Sequence, residues 1–192
     1  MTKPTISEEG GATLVRWARR AVEAAVRGER PFRPATSEIT VELSQPLAVF
    51  VTLKKRGELR GCIGQMNYDR PLWENLLQAA IASALDDPRF SRVEPSELGD
   101  LTVEVSVLSR PDPIADASQF DASRHGIIVQ RGWSRALLLP KVAEEYGWDE
   151  EQVLRCVCQK AGLDANAWRE AGTQLEVFTA LDFSEHHPAT PA

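Results

Sequence analysis

Apolar residues recur along the chain with two different periods, every three to four positions in some stretches and every second position in others. From Ser7 to Arg27 the residues Leu14, Trp17, Ala18, Ala21, Val22 and Ala25 share one stripe, with Arg16, Arg19, Arg20 and Glu23 largely off it. This predicts an amphipathic opening helix that ends near Gly28. Pro31-Phe32-Arg33-Pro34 cannot continue a helix and predicts an extended connector. Leu47 to Leu53 has the composition of a strand, and the run Lys54 to Glu58, with Gly57 inside it, predicts a hairpin into a second strand over Glu58 to Ile63. Asp69 stands where it would cap the next helix, with Pro71 near its start. Leu72, Leu76, Ala79, Ala80 and Ser83 then keep helical spacing until Asp86-Asp87-Pro88. Leu101 to Ser109 alternates cleanly, with Leu101, Val103, Val105 and Val107 on one face and Thr102, Glu104, Ser106 and Leu108 on the other.

Pro111 and Pro113 close that strand, and Asp112 to Arg124 reads as an irregular connection. Gly126 to Gln130 and Arg135 to Leu139, separated at Arg131-Gly132, predict a second hairpin. Pro140 opens a short helix through Glu145, with Gly147 near its end. Asp149 and Gln152 have capping-box spacing for a helix to about Gly162, with Val153, Leu154, Val157 and Ala161 as its apolar positions. After a helical turn over Ala165 to Arg169, one closing strand is expected through Leu175, Val177, Thr179 and Leu181. No internal repeat is visible. The tail 186–192 has little to bury and is expected to be disordered.

Composition narrows the class. The 192 residues, 43% hydrophobic and 26% charged, suit one soluble domain over 1–185, with room for a smaller lobe. A net charge of −6 argues against coating a nucleic acid, since that affinity comes from cations on phosphates, although a local basic patch could hold one anion. The polar N-terminus lacks an apolar signal core, and no later run is long enough to span a membrane. Cys62, Cys156 and Cys158 are odd in number and have no disulfide-framework spacing, as expected of a reducing compartment. A cytoplasmic location without membrane attachment is therefore expected.

The stretch least like scaffold is Leu59-Arg60-Gly61-Cys62-Ile63-Gly64, a cysteine between two glycines. Glycine weakens a strand unless something approaches its backbone closely, so the segment reads as a site. Its position ahead of a helix suggests that backbone N–H groups at the helix start, together with Arg60, could favour an anion or a thiolate at Cys62. Two readings stay open: Cys62 as nucleophile, or Cys62 as a small buried hydrophobe. His125, the only histidine outside the tail, is a candidate base, with Glu104 or Asp87 as the orienting carboxylate. Arg89 suits either a substrate anion or the cap of the helix before it. Cys156 and Cys158, two apart in a helix, do not face each other, and His186-His187 has no fixed neighbours, so no metal is expected. Phosphate-loop, dinucleotide and serine-elbow motifs are absent from the sequence, and no cofactor is expected.

The blocks LRGCIG (59–64), PLWENLLQAAIASALDDPRF (71–90), LTVEVSVLSRP (101–111), RHGIIV (124–129), LLLPKVAEEYGWDEEQ (137–152) and KAGL (160–163) together resemble the AMMECR domain family. The resemblance implies an α+β fold with a mainly antiparallel sheet flanked by helices and a smaller second lobe. It implies no defined reaction. It suggests an enzyme-associated cytosolic component working with Memo-type and radical SAM partners, with a small-molecule or anionic ligand held at LRGCIG. Arg60, Gly61, Ile63, Gly64, Asp87 and Arg89 are the expected ligand contacts. The alternatives are a group-transfer or hydrolytic enzyme using Cys62, His125 and Glu104, and a non-catalytic interaction scaffold.

Overall fold

In chain order the elements are α1 (Glu8–Val26), β1 (Ala48–Lys55), β2 (Glu58–Gln65), α2 (Leu72–Leu85), β3 (Leu101–Leu108), β4 (Asp112–Ile114), β5 (Gly126–Arg131), β6 (Ser134–Leu138), α3 (Pro140–Tyr146), α4 (Glu150–Lys160), β7 (Gln174–Phe178) and β8 (Ala180–Ser184). The computed structural model describes residues 4–185, so the tail at 186–192 lies outside the described residues. The chain divides into two compact units, one of Pro4–Leu108 with Leu181 to Glu185, the other of Ser109–Ala180. Each holds a four-stranded sheet, in the orders β2-β1-β3-β8 and β4-β7-β5-β6. The described registers are antiparallel, as the α+β reading requires.

In the first unit α1 begins where the Ser7 hydroxyl accepts the Gly10 N–H at 3.0 Å, with Glu8 and Glu9 in the first turn where the helix dipole favours them. Its stripe of Leu14, Trp17, Ala18, Ala21 and Val22 is buried, packing on α2 and β3, while α2 covers β1 and β2. Val49, Val51 and Leu53 of β1 meet Val103, Val105 and Val107 of β3 in this core, all fully buried. Each such side chain contributes about 1.5–3 kcal/mol, so helix packing fixes which face of the sheet is inward. The β1–β2 turn consists of Arg56 and Gly57, both at positive φ (52° and 88°), the turn geometry that matches strand twist.

Asp69 does not cap α2. Pro71 occupies the cap position without a side-chain bond, and the first helical N–H groups are taken by main-chain carbonyls, Leu72 by Gln45 at 2.8 Å and Trp73 by Leu43 at 3.1 Å. The loop before β1 thus satisfies the helix start that a carboxylate or a bound anion was expected to satisfy. Asp69 instead donates its own N–H to Asn67 Oδ1 at 2.8 Å.

In the second unit the Asp149–Gln152 capping box forms in both directions, at 2.8 and 2.9 Å, and Gly147 ends α3 in the left-handed conformation. Val153, Leu154, Val157 and Cys158 of α4 pack with Ile127, Val129, Leu175 and Val177. Two sequence expectations change here. The connection after Pro111 contains β4, an edge strand paired with β7, in which Pro113 lies opposite Glu176 and its missing N–H is tolerated. The single closing strand is two strands, β7 and β8, which belong to different sheets.

Candidate functional site

Sheet register parcels out the Leu59–Gly64 motif. Leu53 pairs with Gly61 but Lys54 with Leu59, so Arg60 is the extra residue of a β-bulge. A bulge re-aims its side chain. Arg60 grips Glu97 with two parallel bonds, Nε to Oε1 at 3.0 Å and Nη2 to Oε2 at 2.9 Å, and donates to the carbonyls of Ser91 and Arg92. Glu97 also receives Lys55 at 2.8 Å. Its carboxyl is held down to about 2, chiefly by the Arg60 hydrogen bonds. Arg60 therefore secures the segment after α2, and its charge is committed to Glu97.

Both glycines answer to packing. Gly61 lies opposite Leu53, on the face covered by helices, and a Cβ there would stand 2.1 Å from the Ser83 carbonyl oxygen in the last turn of α2. Gly64 lies opposite Phe50, whose ring occupies the space a Cβ would need, at 2.2 Å. Ile63, opposite Val51, shares the helix-covered face with Gly61. The part of α2 that lies against Gly61 is thus its carboxyl end, not the amino end expected to favour an anion.

Cys62 projects to the other face, with half-buried exposure, opposite Thr52. The Thr52 hydroxyl lies 3.1 Å from Cys62 Sγ and donates to it. Thr52 in turn lies opposite Glu104 of β3, and Lys54 Nζ reaches Glu104 at 2.8 Å. Farther along the same face Ser106 bonds Asp182 of β8. A row of Cys62, Thr52 and Glu104 therefore crosses three adjacent strands, flanked by Lys54. Strand alternation alone marks Glu104 and Cys62. Thr52 and Lys54 join them through register, which no local motif announces.

The main chain of Cys62 is held as firmly as its side chain is open. β2 is an edge strand, and the outward N–H of Cys62 donates to Asp87 Oδ2 at 2.8 Å, while its carbonyl accepts Arg89 Nη2 at 3.3 Å. Asp87 and Arg89 are themselves joined, Nη2 to Oδ2 at 2.7 Å and Nε to Oδ1 at 3.0 Å. The pair supplies an acceptor and a donor as a neighbouring strand would, and so closes the edge at this residue. The Arg89 hydrogen bonds are the main reason the Asp87 carboxyl falls to about 2. The guanidinium remains about half exposed while the Asp87 side chain is buried.

His125 belongs to the second unit, at the start of β5. Its Nδ1 accepts the Asp121 N–H at 3.3 Å, and burial pushes the imidazole below its ordinary value. The partners described for Cys62 come from the first unit and those for His125 from the second. Cys158 is buried in the α4 core, which pushes its thiol up, and Cys156 is partly exposed. Among the described residues no three His, Cys, Asp or Glu side chains are grouped to hold a metal, and no helix is long and apolar enough to cross a membrane.

Comparison with known proteins places this geometry in a family. The AMMECR1 family model matches residues 15–183. A protein of Methanothermobacter thermautotrophicus is 44% identical over 186 residues, covering 94% of this chain and 96% of its own length. Protein TK0174 of Thermococcus kodakarensis is 43% identical, covering 97% and 95% respectively. The crystal structure of uncharacterized protein PH0010 from Pyrococcus horikoshii superposes with a TM-score of 0.91 at 41% identity, over 97% of this chain and 96% of that one. With the match spanning both sheets and the whole Leu59–Gly64 segment, the chain belongs to the AMMECR1 family.

Proposed function

We propose that this protein is an accessory component of a multi-protein cytoplasmic pathway, working with Memo-type and radical SAM proteins, and that its recognition surface is the Cys62–Thr52–Glu104 row with Lys54. The observation carrying this reading is the 3.1 Å contact between the Thr52 hydroxyl and Cys62 Sγ, on the face turned away from the helices. The flanking glycines and Arg60 have packing duties, whereas the placement of this thiol in a polar row serves no packing need of the helices. A thiol, a carboxylate and an ammonium on one face, with the buried Thr52 hydroxyl bonded to the thiol, suit a small polar or anionic ligand, or a polar segment of a partner. Arg89, anchored through Asp87, is positioned at the strand edge to meet an anion.

Mixing the purified protein with the Memo-type and radical SAM proteins of its own host tests the reading. A complex that protects Cys62 from alkylation, and that weakens with Thr52→Val and Cys62→Ser, is expected. A complex indifferent to both substitutions, or none at all, refutes it.

A second reading, a group-transfer or hydrolytic enzyme with Cys62 as nucleophile and His125 as base, draws on the partly exposed thiol and its hydroxyl partner. Two anticipated activators are otherwise engaged, Arg60 by Glu97 and the α2 amino end by Leu43 and Gln45. Alkylation of Cys62 across pH, with and without His125→Ala, separates the readings. A thiol that reacts no faster than a free model thiol at any pH ends the nucleophile version.

A further inference from the structure

Although the chain is acidic overall, at −6, its first unit carries a basic and apolar corner. Beyond α1 the connector places Phe32 and Arg33 against α2, and a groove of about 230 Å³ runs there, lined by Phe32, Arg33, Trp73, Glu74, Leu77 and Ile81. An adjoining hollow is lined by Arg30, Pro31 and Arg33. The Arg20 guanidinium covers the Phe32 ring at 4.1 Å. Among the described residues Arg30 and Arg33 make no ion pair or side-chain hydrogen bond. The groove thus offers an apolar floor beside two arginines that make no ion pair among the described residues, with Glu74 on the α2 side of the lining, a surface that fits an aromatic side chain whose flanking carboxylate meets Arg33.

The second unit carries a corner of that chemistry. Where α3 gives way to α4 the sequence reads Glu144-Glu145-Tyr146-Gly147-Trp148-Asp149. Tyr146 is 65% exposed, an unusual state for so large a ring, yet it is fixed by stacking on Trp148 with centroids 4.7 Å apart and planes 21° from parallel. A rigid aromatic loses little entropy on insertion. Glu144 precedes it on the exposed side of α3, without an ion pair among the described residues. Gly147, left-handed, turns the chain so that the ring stands at the corner.

We propose that the Tyr146 corner of one copy docks in the Phe32–Trp73–Ile81 groove of a second copy, with Glu144 facing Arg33. The occupant is a second copy because this one sequence supplies both halves, a basic groove and an acidic aromatic corner, and charge complementarity sets their register. One tyrosine and its neighbours bury far less than the roughly 1,200 Å² of a lasting interface, so the association is transient, with a Kd on the order of tens to hundreds of micromolar. The contact joins unlike surfaces, so each copy both donates and accepts.

Sedimentation velocity over rising concentration tests the proposal on the full-length chain. The average mass is expected to climb above the 21.2 kDa monomer, and to fall back in high salt. Arg33→Glu, which cannot accept, and Glu144→Arg, which cannot donate, should each weaken association at least about tenfold. An equimolar mixture of the two should recover a heterodimer, because the intact corner of the first meets the intact groove of the second. Tyr146→Ala alone, which has no ring to donate, should abolish self-association. Both charge sites are on the surface, and circular dichroism verifies that each variant is folded. A chain that stays monomeric at every concentration overturns the proposal, as does association indifferent to these substitutions or a mixture that fails to recover.

Discussion

Gly61→Ala separates packing from chemistry in the Leu59–Gly64 segment. The added methyl would sit 2.1 Å from the Ser83 carbonyl oxygen, and the neighbour is the backbone of α2, which cannot swing aside as a flexible side chain can. Restoring an ordinary contact requires roughly 1 Å of movement between α2 and β2, and overpacking of this kind costs about 1–3 kcal/mol. The rigid neighbour puts the expected loss near the upper end, about 3 kcal/mol. For a chain of this size each kcal/mol moves the melting temperature by about 2–4 °C, so a drop of about 6–12 °C is expected. Calorimetry, with urea unfolding at unchanged slope, measures it. Cys62→Ala is the control, removing a side chain from the other face and only the Thr52 hydrogen bond, and should cost about 0.5–1.5 kcal/mol. If Gly61→Ala changes stability by no more than about 0.5 kcal/mol, the close approach of α2 does not explain this glycine, and close approach of a ligand becomes the stronger account.

Gly64→Ala should destabilise through the Phe50 ring and be partly rescued by Phe50→Leu, a coupling that a double-mutant cycle in urea detects. Asp87 is depressed to about 2 from 3.8, so it stabilises the fold above its unfolded value and the contribution fades as pH falls from about 4 through 2; Asp87→Asn should remove about 2 kcal/mol of that acid-side dependence. His125 is depressed by burial, so its neutral form is favoured in the fold and stability declines as pH falls below the ordinary histidine value of 6.5, a slope that His125→Gln should flatten in melts between pH 5 and pH 7. In the native protein iodoacetamide should modify Cys62 and Cys156 before Cys158, whose thiol is buried and pushed up; peptide mass spectrometry that finds Cys158 labelled first refutes the packing of α4.

Much of the architecture could be read from spacing. Helical stripes marked α1, α2 and α4, the alternation of Leu101 to Leu108 marked β3, and Asp149 with Gln152 marked a capping box that forms as expected. Local patterns were sufficient there because each element buries one face. They were insufficient where one pattern serves two cores. From Leu175 to Phe183 apolar residues alternate almost without interruption, yet Leu175 and Val177 pack beneath α4 while Leu181 and Phe183 pack on the first unit's core. No glycine or proline marks the change at Thr179, so one long strand and two short ones read alike. Pro113 misled in the opposite sense, since a proline that normally excludes a strand is acceptable on the outer edge of β4.

The Leu59–Gly64 segment raises the same problem at the scale of single residues. Its unusual composition made all six positions look like one site, but the sheet distributes them among different duties. Alternation sends Gly61 and Ile63 toward the helices and Cys62 and Gly64 away, and the bulge removes Arg60 from both sets to hold Glu97. The surface proposed for recognition is narrower than the motif in one direction and wider in another. Of the six residues, Cys62 alone presents a reactive side chain to the polar face, and its neighbours there, Thr52, Lys54 and Glu104, come from two other strands. A ligand or partner reading this surface would therefore depend on register as much as on composition. A substitution that shifts the Arg60 bulge should disturb recognition without touching any of those four side chains, because a one-residue slip in β2 carries Cys62 to the helix-covered face.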